Sequence, residues 1–369
     1  MPKSGRGHDS ARHDVGKVVM RSRTLRGAAL SAVLLAGTLH TPAAAASATA
    51  AGCAWKMSAQ LPLPPGTTSG MVWATDNQGS YSGTAWGADG KRRVLTWKNG
   101  TFIDYGTGTA RTRVKGQNRA GTVIGFNSGG WIVPTGEGWR TRNGRMEPLP
   151  KPPGTFESYP IAIEDDGDVF GQISVTADDG AVRRSFVRWP GDRPDTFEIL
   201  PLTLPKDAVL AGIDDDGTIL LNFNGRQGTY AVGLWRDGVV TYLPKVPGAT
   251  HTIVRAISNG RVVGDTTHRD SAGLYHTDGV LWDQDGTVHV LADTSSAGQI
   301  NRNGLVGADS DGRANHDFFH HVWRLGTLDF TFPDPDDRVT VLADDDTIAT
   351  THPVPGTTDV RPAIWHCVR

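Results

Sequence analysis

The chain has 369 residues, among them 46 Gly, 22 Pro, 11 Trp and only 2 Cys. Gly at about 12% argues against a helix bundle or coiled coil. Two Cys exclude a disulfide-dense scaffold and any multi-Cys zinc or iron–sulfur site. A hydrophobic fraction of 38% and a net charge of −2 exclude a wholly disordered or strongly basic chain.

Residues 1–48 read as a leader. Lys17, Arg21, Arg23 and Arg26 form a basic region before an apolar run from Gly27 to Leu39, too short to span a bilayer. Small residues follow and suit cleavage near Ala46 or Ala48. Met20 is an alternative start, because residues 1–19 are polar. The expectation is a secreted protein without a membrane span. AAGC at Cys53 hints at lipidation, but Ala50 stands where a Leu is wanted. The first 46 residues hold seven Lys/Arg and two Asp/Glu, so the rest carries 30 basic and 37 acidic residues, net −7. That opposes non-specific nucleic-acid binding.

Residues 49–369 read as one domain. Trp55, Trp97, Trp139, Trp189, Trp235, Trp282, Trp323 and Trp365 are spaced by 42, 42, 50, 46, 47, 41 and 42. Within each interval the same features recur, most clearly in VRAISNGRVVG (254–264) followed by GVLWDQDGTVHVL (279–291), and in IAIEDDGDVFG (161–171). Each copy holds four short strand-like runs joined by Asp/Asn–Gly turns, the size of one propeller blade. The fold expected is all-β, a seven-bladed β-propeller of four-stranded blades. Residues 53–63 are expected to supply the outer strand of the last blade and residues 339–366 its three inner strands. Cys53 and Cys367 flank the first and last Trp and are expected to form a disulfide at that seam, which an oxidising compartment allows. The Trp in register read as core between blades. Trp73, Trp86 and Trp131 fall off register and are the better ligand candidates.

AISNGRVVG, IAIEDDGDVFG and the following LW-x-x-G phrase resemble the secreted bacterial HAF-type extracellular repeats, over about residues 69–366. The chain departs from that pattern at the H-A-F triplet, where Arg93, Ser185, Ala231, Asp278, Phe319 and Arg361 occupy the His position. The resemblance implies a secreted β-repeat protein and supplies no catalytic residues.

In a propeller, the loops between second and third strands and the crossings between blades share one face, where a site can be built. Nine of the twelve His lie between His251 and His366. His268, His276, His316, His320 and His352 fall in segments 265–278, 308–320 and 351–362, the expected loops of the last three blades. Imidazoles with carboxylates suit a divalent metal (Zn or Mn) or acid–base work. The candidate metal set is His268, His316, His320 and His352; the competing reading is solvated loop histidines. The acidic turns 164–168, 214–218 and 343–347 and the loop 308–317 suggest Ca, but none has a full EF-hand ligand set. Turn chemistry explains the first three. Arg92–Arg93 and Arg183–Arg184 could grip an anionic substrate or stand as solvated hairpin ends.

No G-x-S-x-G, Walker A, dinucleotide fingerprint or H-E-x-x-H occurs. The leading expectation is therefore a monomeric binding module for an extracellular glycan or protein, acting through the loop face, with no nucleic-acid partner and no certain cofactor. The alternative is a secreted hydrolase or lyase with a His/Asp or metal centre on blades five to seven.

Overall fold

The computed structural model describes residues 53–128, 136–177, 179–200, 208–224, 230–310 and 320–368. The leader, Trp131, His316 and most of the 308–317 loop lie outside these residues. Among the described residues there is no helix, and therefore none long and apolar enough to cross a membrane.

Seven antiparallel sheets of four strands each form a seven-bladed β-propeller. Six sheets take their strands in chain order. The first blade runs Ser69–Thr75, Tyr81–Trp86, Arg92–Lys98 and Thr101–Thr107. The seventh is closed from both ends of the domain: Arg338–Leu342, Ile348–Pro353 and Val360–Val368 are its inner strands, and Ala54–Gln60 is the outer one. Trp55 sits opposite Cys367 in this pairing, and the Cys53–Cys367 disulfide pins the seam.

The sequence-level periodicity needs one refinement. Trp97, Trp139, Trp189, Trp235, Trp282, Trp323 and Trp365 lie on the third strands of the seven blades. Trp55 lies on a fourth strand, so the eighth tryptophan belongs to the same blade as Trp365. Two tryptophans that are far apart in the chain meet because the ring closes there.

The core is divided among the blade interfaces. Each of seven hydrophobic clusters joins neighbouring blades, as where Ala74 and Val94 of blade one meet Val114, Val123 and Trp139 of blade two. A sheet can bury both faces only if it has a neighbour on each side, which a closed ring supplies without leaving an end blade. Some of the tryptophan indoles also reach a blade crossing: Trp97, Trp189 and Trp282 donate to the carbonyls of Pro62, Pro150 and Pro244 at 2.7, 2.6 and 2.9 Å.

The glycine that ends the V-V-G phrase has a packing cause. The first strands of blades one, two, three and five carry a β-bulge in the middle. It pushes a carbonyl toward the second strand. A Cβ on Gly125 would strike the Arg113 carbonyl, and one on Gly264 the Ile253 carbonyl. The hairpin turns follow the Asp/Asn–Gly expectation. Both central residues are left-handed in Asn99–Gly100, Asn143–Gly144, Asp237–Gly238 and Asn259–Gly260. Leu325–Gly326 adopts the same turn with an apolar residue at φ 46°.

Candidate functional site

The first strands of all seven blades converge on a central channel. Its body is a cavity of about 540 Å³ with no carboxylate among its lining side chains. Residues two apart on a strand face the same way. On the first strand of blade two, Thr112–Gln117, this turns both Arg113 and Lys115 into the channel. The Arg113 guanidinium lies 5.3 Å from the centre of the Trp73 ring, and Lys115 Nζ lies 5.3 Å from the centre of the Tyr159 ring. Toward the loop face, at the start of the third strand of blade one, Arg92 lies 4.5 Å over Trp86. Thr84 Oγ1 joins the two levels, accepting from Trp73 Nε1 at 3.3 Å and from Arg92 Nη1 at 3.2 Å.

Among the described residues, no carboxylate lies within ion-pair distance of Arg92, Arg113 or Lys115. Their neighbours differ. Arg93 is paired with Asp104, and Arg255, also at the channel, is paired with Asp265. Burial, and then the like charge of Arg113, lower the pKa of Arg92. The aromatic faces hold the cations in place, but they do not neutralise them.

The opposite mouth of the channel has the reverse sign. The turns between first and second strands line a cavity of about 580 Å³ with Asp76, Glu164, Asp165, Asp166, Asp214, Asp215 and Asp344, against Arg119 and Arg302. Many turn carboxylates cap their own backbone: Asp76 Oδ1 accepts from Gln78 and Ser80 N–H at 2.8 and 2.9 Å. Others tie blades together. Asp214 accepts from the Asn259 and Gly260 N–H groups at 2.9 and 2.6 Å, and Arg302 pairs with Asp215 two blades away.

Glu164, Asp166 and Asp168 bring one carboxylate oxygen each to within 4.8 Å of one another, close enough to share a divalent cation. Burial, followed by the charges of Asp166 and Asp168, raises the pKa of Glu164. Asp168, however, is already committed: it pairs with Arg188 and accepts from Gly191 N–H at 2.8 Å.

The histidines singled out from sequence lie mainly on strands. Pairing continues from Arg261 to Arg269 and resumes at Tyr275, so the loop in blade five is 270–274, shorter than expected. His268 and His276 face each other across those strands with ring centres 5.6 Å apart. His268 Nδ1 is 3.0 Å from Asp278, and His276 Nε2 is 2.6 Å from Asp270. His352 Nδ1 is 2.8 Å from Asp337, and His320 Nδ1 is 2.6 Å from Asp309 but too poorly aligned for a hydrogen bond. Each of these histidines thus has its own carboxylate. Among the described residues, His268, His320 and His352 do not form a three-ligand group within 4.8 Å. Asp337 is 1% exposed, and its Oδ2 has no hydrogen-bond partner. Burial holds its carboxyl above the ordinary range, against the pull of His352.

Sequence reasoning picked out Trp73, Trp86 and Arg92 but missed Arg113, Lys115 and Tyr159. The available signal was positional. Lys115 occupies the bulge position of its first strand, where the other copies have Trp73, Ile161, Ala211, Arg255, Gly298 and Thr340. A charge in that row faces the channel. Arg183 pairs with Asp179 at 3.3 Å, which fits the solvated-hairpin reading of that basic pair.

No family model and no curated protein matches the chain. Solved structures do. An oligogalacturonate lyase in complex with manganese superposes with a TM-score of 0.52 at 12% identity, over 86% of this chain and 97% of that one. An acylaminoacyl peptidase from Pyrococcus horikoshii gives 0.52 at 11%, over 81% of this chain and 51% of that one. A puromycin-hydrolysing peptidase from Mycobacterium tuberculosis gives 0.51 at 11%, over 85% and 54%. The chain spans about half the length of these peptidases. At such identities the likeness concerns the fold, and propellers carry unrelated activities.

Proposed function

We propose that the protein is a binding module that takes an anionic ligand at the loop-face end of its central channel, between blades one and two. One observation carries this reading: Arg92, Arg113 and Lys115 lie close together on aromatic faces, with no carboxylate partner among the described residues, beside a channel body whose described lining has no carboxylate. Clustered like charges repel, and an anion bound among them relieves that repulsion while its hydrogen bonds are charge-assisted. Aromatic support limits the side-chain freedom lost on binding. The disulfide and the leader-like N-terminus support a location outside the cytoplasm.

Affinity electrophoresis through gels containing polyuronate or dextran sulfate tests the reading. The native protein is expected to be retarded, and retardation is expected to fall with added salt. Arg113→Gln/Lys115→Gln is expected to abolish most of it. Equal mobility of native protein and double variant would remove the basis for the site.

A second reading, acid–base catalysis by a hydrolase or lyase, has one supporting observation. The His352–Asp337 pair holds a buried carboxylate oxygen without a hydrogen-bond partner among the described residues. Hydrolysis or elimination of glycan substrates that disappears in His352→Gln would support it.

The HAF-type resemblance also stands as a proposal. Its support is that phrases such as AISNGRVVG fold as the hairpin between first and second strands.

A further inference from the structure

We infer that the ligand of this site is an acidic oligosaccharide, one carboxylate per sugar, bound end-on with one terminus inside the channel. The inference rests on the binding reading above and adds the number of charges, their direction and the class of molecule. Arg113 and Lys115 stand two residues apart on one strand and both line the channel, Lys115 at the strand's bulge. Arg92 continues the series toward the rim through the shared Thr84–Trp73 contacts. Three cations in a row are satisfied by successive anionic groups of a chain and leave two unsatisfied when a lone carboxylate binds.

The channel also sets how far such a chain can go. Beyond Lys115 the far mouth holds seven carboxylates against two arginines, so a polyanion is repelled before it can thread through. It enters from the loop face and stops.

The class follows from what the walls offer. Trp73, Trp86 and Tyr159 present ring faces already approached by the protein's own cations, and this competes with the base stacking that single-stranded nucleic acid needs. The net charge of −7 over residues 47–369 opposes a long nucleic-acid chain as well. Thr340 lines the channel and donates its hydroxyl to the Ala349 carbonyl at 3.1 Å, which leaves the hydroxyl oxygen as a neutral acceptor for a sugar hydroxyl. The Cys53–Cys367 disulfide is compatible with oxidising surroundings outside the cytoplasm.

Calorimetric titration of the purified protein with hexauronate, its monomer, hexaglutamate and a single-stranded hexanucleotide tests the inference. Hexauronate is expected to bind at least about 30-fold more tightly than the monomer, and more tightly than the other two hexamers. Lys115→Met, with an unchanged melting temperature, is expected to weaken the hexamer about 10-fold. Lengthening to a dodecamer is expected to gain less than about threefold, because only one end enters. A monomer as tight as the hexamer, or affinity that keeps rising with length, would overturn the end-on arrangement while leaving anion binding intact. Tighter binding of hexaglutamate or oligonucleotide would overturn the class. If none of the four binds, the inference and the binding reading both fall.

Discussion

Replacing Cys53 and Cys367 together by Ser removes a cross-link that spans 314 residues, almost the whole propeller. On the chain-entropy model a loop of that length restricts the unfolded state by about 5.7 kcal/mol. Residual structure in the unfolded chain reduces the effect, so a loss of about 3–5 kcal/mol is expected. The pairing of Ala54–Gln60 with Val360–Val368 survives the substitution, as does the burial of Trp55 and Trp365. The fold is therefore expected to form but to open more easily at one seam. For a domain of about 320 residues the unfolding entropy near the midpoint is about 0.7 kcal/mol/K, and the melting temperature should drop by about 4–7 °C. Thermal unfolding of the native protein, the reduced protein and the double variant measures this. The reduced protein and the variant should agree. A drop below about 1 °C would refute the reasoning, because it would mean that the unfolded chain does not gain freedom when the ring is cut.

The other predictions concern the turns. Leu325 holds a left-handed conformation that costs an ordinary L-residue about 1–2 kcal/mol, whereas Asn99, Asn143 and Asn259 do the same work in other blades. Leu325 is 43% exposed, so little packing is lost in Leu325→Asn, and a gain of about 0.5–1 kcal/mol in urea unfolding is expected. A loss would show that its contact over Gly304 outweighs the backbone strain. Asp346 bridges blades six and seven, accepting from Asn301 Nδ2 at 2.9 Å, Asn303 Nδ2 at 3.1 Å and Arg324 Nη1 at 3.0 Å. Burial raises its pKa, but these donors outweigh burial and the net direction is down. A depressed carboxyl stabilises the fold above its unfolded pKa of about 3.9, and that stability is lost as pH falls through the folded value. Asp346→Asn should therefore cost about 1–2 kcal/mol at neutral pH, with the gap closing below about pH 4. A gap that stays constant down to pH 3 would show that the bridge does not act through charge.

Much of the fold could be read from the chain because its signals are local and repeated seven times. Asp/Asn–Gly turns set hairpins, alternation sets strands, and one Trp per copy sets the blade length. The cysteines at the two ends reveal ring closure, because Cys53 precedes the outer strand of the last blade and Cys367 lies on the third strand, which pairs with it. The cation site is different in kind. Trp73, Arg92, Arg113, Lys115 and Tyr159 come from three blades, and no one repeat holds a pattern that announces them. The histidines of blades five to seven were visible as a cluster along the chain. Each described histidine of the candidate set, however, finds a carboxylate in its own blade or in the crossing that leads into it.

By itself, the sequence determined the blade count, the turn chemistry, the tryptophan core and the disulfide, all of which depend on spacing along the chain. Only the tertiary structure decided which charges remain unneutralised and which way they face. Neutralisation depends on distances across blades, and a ring brings the first strands of all seven blades together at one axis. The channel thereby acquires cations toward one end and carboxylates at the other, a separation that the net charge of −7 over residues 47–369 does not show.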